Sequence, residues 1–276
     1  MTVAPTRPAR SAAGRAERQR GDFTNLLRAE FIKLRTVRST YWTLLIAFAA
    51  NIGFAVLTAA VIAPRLSAHD RSQVDVVQLA LAGIHLSQVA YGVLGALVIT
   101  GEYGSGMIRA TFAATPRRRL LLAAKALVFT GVTALTATAS TLASYLAFQA
   151  ALPANTLSGT ALSDPGIARA VAGGGLYLTA LGLLGFGLGV IVRSSAGAIA
   201  TVFGLLFVPP LLLDLLPGTW KDDIGPYIPM EAGNQIYVAV RHEAVALAPW
   251  TGFAVFCAYT AAAILAGFLL VEHRDA

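Results

Sequence analysis

Residues 41–63 read YWTLLIAFAANIGFAVLTAAVIA, an uncharged stretch of twenty-three residues with one amide, Asn51, near its middle. A helix rising 1.5 Å per residue needs about 20 apolar residues to cross the hydrocarbon core of a bilayer. This run is long enough, and five more follow at 77–100, 126–152, 170–192, 196–216 and 249–271, none of which holds a lysine or arginine. The pattern predicts an all-α polytopic membrane protein with six transmembrane helices. The first run is too long, and too far from the N-terminus, for a cleaved signal peptide.

Composition supports the same reading. Of 276 residues, 56% are hydrophobic and only 13% charged, about half the charge of a soluble domain. That argues against a soluble enzyme. The net charge of +7 does not point to nucleic acid, because the cations flank apolar spans, where they set orientation. One cysteine, Cys257, leaves no intrachain disulfide.

Sixteen of the 21 Lys and Arg residues fall before span one, between spans two and three, in the four–five link or after span six. The opposite side has five: Arg65, Arg71, Arg169, Lys221 and Arg241. The positive-inside rule then places both termini in the cytoplasm and the link 217–248 outside, as expected for a multi-pass plasma-membrane protein.

Residues 1–21, rich in Ala, Arg, Pro and Gly, predict a disordered basic tail. Over 22–40, Phe23, Leu26, Leu27, Phe31, Leu34 and Val37 share one helical arc, with Asn25, Arg28 and Arg35 opposite. This predicts an amphipathic helix in the membrane interface. Two residues break the pattern: Glu30 falls on the apolar arc and Ile32 on the polar one.

The link between spans two and three, residues 102–119, is longer and more structured than a bare turn. It opens with Glu102-Tyr103 and a Gly104-Ser105-Gly106 turn. Met107 to Ala114 has room for two helical turns exposing Met107, Ile108 and Phe112, ended at Thr115-Pro116. Opposite charges on Glu102 and Arg109 bracket the turn, where an exposed pair is worth under about 1 kcal/mol. A short helix with apolar knobs suits a soluble partner. The pattern equally allows a topogenic loop resting on lipid.

The segment resembles the cytoplasmic signature of ABC-2-type transporter permeases, through Glu102-Tyr103, Gly106, Arg109, Thr111, Pro116-Arg117-Arg118 and Ala124-Lys125. The stretch Leu27 to Arg35, with Glu30 and Lys33 three apart, is similar to that family's N-terminal helix. The resemblance covers residues from about 22 onward, and makes 41–276 an ABC-2-type transmembrane domain. It implies that 102–119 is a coupling helix, with Glu102, Tyr103, Gly106, Met107, Ile108, Arg109 and Phe112 meeting a separate ABC ATPase subunit. It also implies a second permease chain, identical or related, and export of an unidentified compound across the plasma membrane. This sequence holds no Gly-Lys-Ser/Thr phosphate loop, so ATP hydrolysis is expected on another polypeptide. An ATP-independent carrier, or an immunity or sensory protein, is the alternative.

Within the spans, Asn51, His85 and Gln88 are candidates for a translocation path. His85, Gln88, Gly92 and Gly95 form one stripe, which helix packing explains as well. The hydroxyls of span three and the glycines of span four, including Gly185 and Gly189, read as packing. Pro209-Pro210 predicts a kink or local unwinding in span five. The link 217–248 is too apolar around 227–240 for a hydrated loop and predicts short re-entrant or interfacial helices. Its Asp222, Asp223, Glu231, His242 and Glu243 lack metal-ligand spacing. No catalytic residue, metal or cofactor is expected.

Overall fold

The computed structural model describes residues 12–67, 69, 74–108, 118–154, 156–157, 159–213, 215, 218–240 and 246–273; for 12–22, 219, 272 and 273 it describes the backbone only. The described residues form helices joined by turns, with no strand. The six apolar runs become α2 (Arg38–Leu57), α4 (Ile84–Gly104), α5 (Arg118–Ala151), α6 (Ile167–Val192), α7 (Ser195–Leu213) and α10 (Pro249–His273). Each is long and apolar enough to cross a membrane. Between them lie α1 (Ala12–Thr36), α3 (Val76–Ala80), α8 (Gly218–Ile224) and α9 (Pro229–Asn234).

The N-terminal helix corrects one expectation. The disordered tail drawn to residue 21 is too long, because α1 already begins at Ala12. Residues 1–11 lie outside the described residues. Composition understated the helix: Ala, Glu, Gln and Arg are good helix formers, and 12–20 is built mainly from them.

The glycines decide which helix is central. α6 is enclosed by α4, α5, α7 and α10, and its backbone is approached from several sides. A methyl added at Gly189 would sit 2.5 Å from Ile99 Cγ2, and one at Gly187 would sit 2.9 Å from Ala263 C. At Gly185 it would run into the carbonyl of Gly92, and at Gly95 into the carbonyl of Gly182. The α4–α6 crossing therefore requires small residues on both partners, in keeping with a packing role for Gly185 and Gly189.

Hydroxyls of α5 mostly satisfy themselves. Thr130, Thr133 and Thr136 donate to carbonyls four residues back at 2.7, 2.8 and 2.9 Å. Past Pro209-Pro210, α7 stays helical to Leu213. The two prolines each remove one backbone donor, yet the helix continues three residues beyond them.

Both ends of the bundle carry irregular structure. At the end holding α1, called proximal here, Arg118 Nη1 donates to Val271 O at 3.3 Å, so the start of α5 meets the end of α10. At the distal end, residues 218–240 form the short helices α8 and α9 and two 3-10 turns, Gly225–Tyr227 and Gln235–Tyr237. These pack down onto α6 and α10. The Tyr177 ring lies 5.5 Å from Tyr237 and 5.2 Å from Phe256, centre to centre. A short helical link of this kind is what the apolar stretch at 227–240 implied.

Candidate functional site

The residue that spoiled the amphipathic pattern of α1 organises the proximal end. Glu30 sits on the face of α1 that packs against α5, only 5% exposed. There it accepts a bond from Lys125, whose Nζ is 2.6 Å from Glu30 Oε2 and 2.7 Å from Glu102 Oε1. Lys33, one turn along α1, donates to the same Glu102 oxygen at 2.5 Å and lies 3.7 Å from Glu30 Oε1. Two carboxylates and two ammoniums thus join α1, the end of α4 and the second turn of α5. The Lys125 side chain is 3% exposed, so water contributes little, and each charge depends on its partners.

The expected exposure of Glu102 is corrected: it is buried among Lys33 and Lys125, which spacing alone does not bring together. Arg109 and Phe112 lie outside the described residues. A signal was present: an acid on an apolar arc needs a buried cation, and Lys125, the first cation after Arg119, is the nearest to span three.

The segment leaves α4 through a conformation that only glycine adopts readily. Gly106 has φ +72°, and Ser105 Oγ closes the turn by donating to Gly101 O at 2.8 Å. Met107 is half-exposed. Ile108 is not: it is buried against Ile99, Leu121, Leu122 and Phe186, because the turn at Gly106 directs it back to the bundle. Tyr103 is partly buried, with the Arg193 guanidinium 5.2 Å from its ring centre. Arg193 itself ends α6 at φ 59°.

The three candidate path residues separate. Asn51 is fully buried, donating from Nδ2 to Ser140 Oγ at 3.0 Å, and Ser144 Oγ donates to Asn51 O at 3.2 Å. Gly83 presses on it from the other side; an added methyl there would sit 2.6 Å from Asn51 Oδ1. Gln88 is also buried, accepting from the Tyr177 hydroxyl at 2.7 Å. His85, by contrast, is exposed on the surface of the bundle, with Nδ1 3.2 Å from Ala82 O. The stripe from His85 to Gly95 therefore turns inward after its first member, and the two amides tie helices together.

A second charged device, at the distal end, escaped the sequence reading. Asp75 caps α3, its Oδ1 accepting from Val77 N at 2.9 Å. Its Oδ2 accepts from Ala239 N at 2.9 Å and Val240 N at 3.0 Å. Arg169, at the start of α6, donates to Ile236 O and Val238 O, both at 2.9 Å. Together they hold the irregular segment 236–240. Alongside, burial raises the phenol pKa of Tyr237 well above its ordinary value, with Tyr177 and Glu231 adding to the effect. It therefore stays neutral and donates to Asn234 Oδ1 at 2.7 Å. Among the described residues no group of His, Cys, Asp and Glu is placed to hold a metal ion.

A family model described as ABC-2 family transporter protein matches residues 26–208. That range takes in α1 from Leu26, the proximal charge cluster, four whole spans and most of the fifth. A search of curated proteins finds no match. Since the family model covers more than half of the chain, the chain belongs to the ABC-2 transporter family, whose members are membrane permeases of ABC transporters.

Proposed function

We propose that this chain is the permease half of an ATP-driven exporter, working with a separate ABC ATPase subunit and a second permease chain. On this reading the proximal end is cytoplasmic, both termini lie inside, and the membrane is the plasma membrane, as the cation distribution favours. α1 lies in the interface, its exposed Phe31 and Ile32 (48% and 60%) turned to lipid. Residues 102–119 are the contact for the ATPase, with Met107 and Phe112 as anchors and Arg109 as the charged partner. The cargo suits apolar spans; lipids, hydrophobic drugs and peptides all fit that description.

One observation carries the coupling assignment. Glu102 opens the segment, and through Lys125 it is bound to both α5 and the Glu30 of α1. A displacement of the segment is thus passed to three helices at once rather than absorbed in a loose loop. The test uses Phe112→Ala and Arg109→Glu. Both variants should insert and accumulate normally, yet lose co-purification with the ATPase and stimulation of its hydrolysis. Wild-type binding and stimulation in both would leave the segment a topogenic loop.

A further inference from the structure

Only two residues, Arg193 and Ser194, separate α6 from α7, and this turn meets the end of α4 at two points. Thr100 and Tyr103 stand three apart and so share one face of α4. Thr100 Oγ1 donates to Ala96 O at 2.9 Å and accepts from Ser195 Oγ, also at 2.9 Å. Three residues further on, the Arg193 guanidinium lies 5.2 Å from the centre of the Tyr103 ring. That is within the ~6 Å over which an aromatic face attracts a cation. The first contact is on the buried part of α4, the second on the segment 102–119 itself.

Arg193 holds this place against its own backbone preference. Its φ is 59°, the left-handed conformation in which Cβ crowds the following carbonyl and which glycine usually takes at helix ends. The local fold gains nothing from arginine there. Arg193 N closes α6 on Gly189 O at 3.0 Å, and glycine supplies the same N–H. Strain of this kind clusters at functional sites, and here the side chain concerned is the one set over Tyr103. The competing account is a cation that merely orients the chain in the membrane, since Arg193 is the one Lys or Arg of the four–five link.

We infer that Arg193 is a positioning residue for coupling. Its guanidinium fixes Tyr103, and with it the start of the segment 102–119, so that a displacement of the segment also reaches α6 and α7. The ion cluster ties α4 to α1 and α5; the α6–α7 turn ties it to two further spans. This role rests on the reading of 102–119 as the ATPase contact.

The experiment uses the full-length permease reconstituted with the ATPase that co-purifies with the wild-type chain. Arg193→Gly removes the strain and the guanidinium together. It should insert, melt no lower than wild type and still bind the ATPase, yet lose at least about fivefold of the stimulated hydrolysis. The loss should fall on kcat, with the KM for ATP unchanged. Tyr103→Leu should lose a similar amount, and the double variant no more than either alone, as one shared contact requires. An orienting cation predicts the reverse: poor insertion of Arg193→Gly, normal activity of the molecules that do insert, and no link to Tyr103. Phe112→Ala and Arg109→Glu, measured alongside, separate the two levels. If they lose binding and stimulation while Arg193→Gly behaves as wild type, the coupling segment stands and the role of Arg193 falls. If both are as wild type, the segment reading fails and takes the role of Arg193 with it. Wild-type stimulation in Arg193→Gly, additive losses in the double variant, or a lowered melting point that accounts for the lost activity overturns the inference.

Discussion

The two ends of the bundle both bury charge, but they satisfy it in different ways. At the proximal end charge meets charge: Glu30, Lys33, Glu102 and Lys125 bond one another across α1, α4 and α5. At the distal end charge meets backbone: Asp75 takes two N–H groups and Arg169 three carbonyls of the segment 236–240. Main-chain partners are fixed in place, so the distal clamp permits essentially one arrangement. Side-chain ion pairs can exchange partners, and Glu102 already shares one oxygen between two lysines. The proximal cluster therefore has alternative pairings open to it that the distal clamp does not.

The first way to break this is to remove Lys125. Two carboxylates would then be left buried with only the partly exposed Lys33 between them. Breaking a buried pair this way costs about 3–5 kcal/mol. Lys125→Ala should sharply lower the melting point and yield of the purified protein, and Glu30→Gln in the same chain should restore part of it. A Lys125→Ala protein as stable as wild type would mean that the cluster is hydrated rather than buried.

The distal end should respond less, because its load is divided. Arg169→Gln removes charged donors from three carbonyls, each good bond of this kind being worth about 1.5–3 kcal/mol, while Asp75 still holds Ala239 and Val240. The expected loss is about 2–3 kcal/mol, together with faster proteolysis or hydrogen exchange of 236–240. Loss of exchange protection elsewhere, with that segment unaffected, would contradict the clamp.

Much of this was legible in the sequence and some was not, for physical reasons. The six spans follow from length and apolarity alone, since lipid leaves a chain few alternatives. The tight α4–α6 crossing was half visible: Gly185 and Gly189 announced a close approach, but not that Gly92 and Gly95 would be on the other side. The ion cluster was out of reach because Glu30 and Lys125 are 95 positions apart, and no local pattern pairs such residues. Its trace was the one acid on an apolar arc. Asp75 and Arg169 left less, for their partners are main-chain groups, which every residue has. Ile108 failed because exposure was judged from a helical pattern, while the turn at Gly106 redirects the chain.

A double-mutant cycle sharpens the comparison. Glu30 and Lys125 touch, so Glu30→Gln and Lys125→Met should show a coupling energy of about 1–3 kcal/mol. Asp75 and Arg169 act on a shared segment through separate backbone groups, so Asp75→Asn with Arg169→Gln should couple less, by about 0.5–1 kcal/mol. Equal couplings at the two ends would erase the distinction between charge on charge and charge on backbone.

The smallest effect should come from Lys33, and salt reveals why. Its side chain is 31% exposed, against 3% for Lys125, although both donate to the same oxygen of Glu102. Its bond to Glu102 is only part-buried, and pairs open to water are worth less than enclosed ones, so Lys33→Ala should cost clearly less than Lys125→Ala. Raising salt from 0.1 to 1 M shortens the screening length from about 10 to about 3 Å, which reaches Lys33 through water but leaves Lys125 shielded by protein. The deficit of Lys33→Ala relative to wild type should therefore fade at 1 M salt, while that of Lys125→Ala persists. Thermal melts of the two variants at both salt concentrations decide it. If Lys33→Ala is as damaging as Lys125→Ala, or keeps its deficit in high salt, then the cluster is closed to water on every side, and the proximal end is as fixed as the distal one.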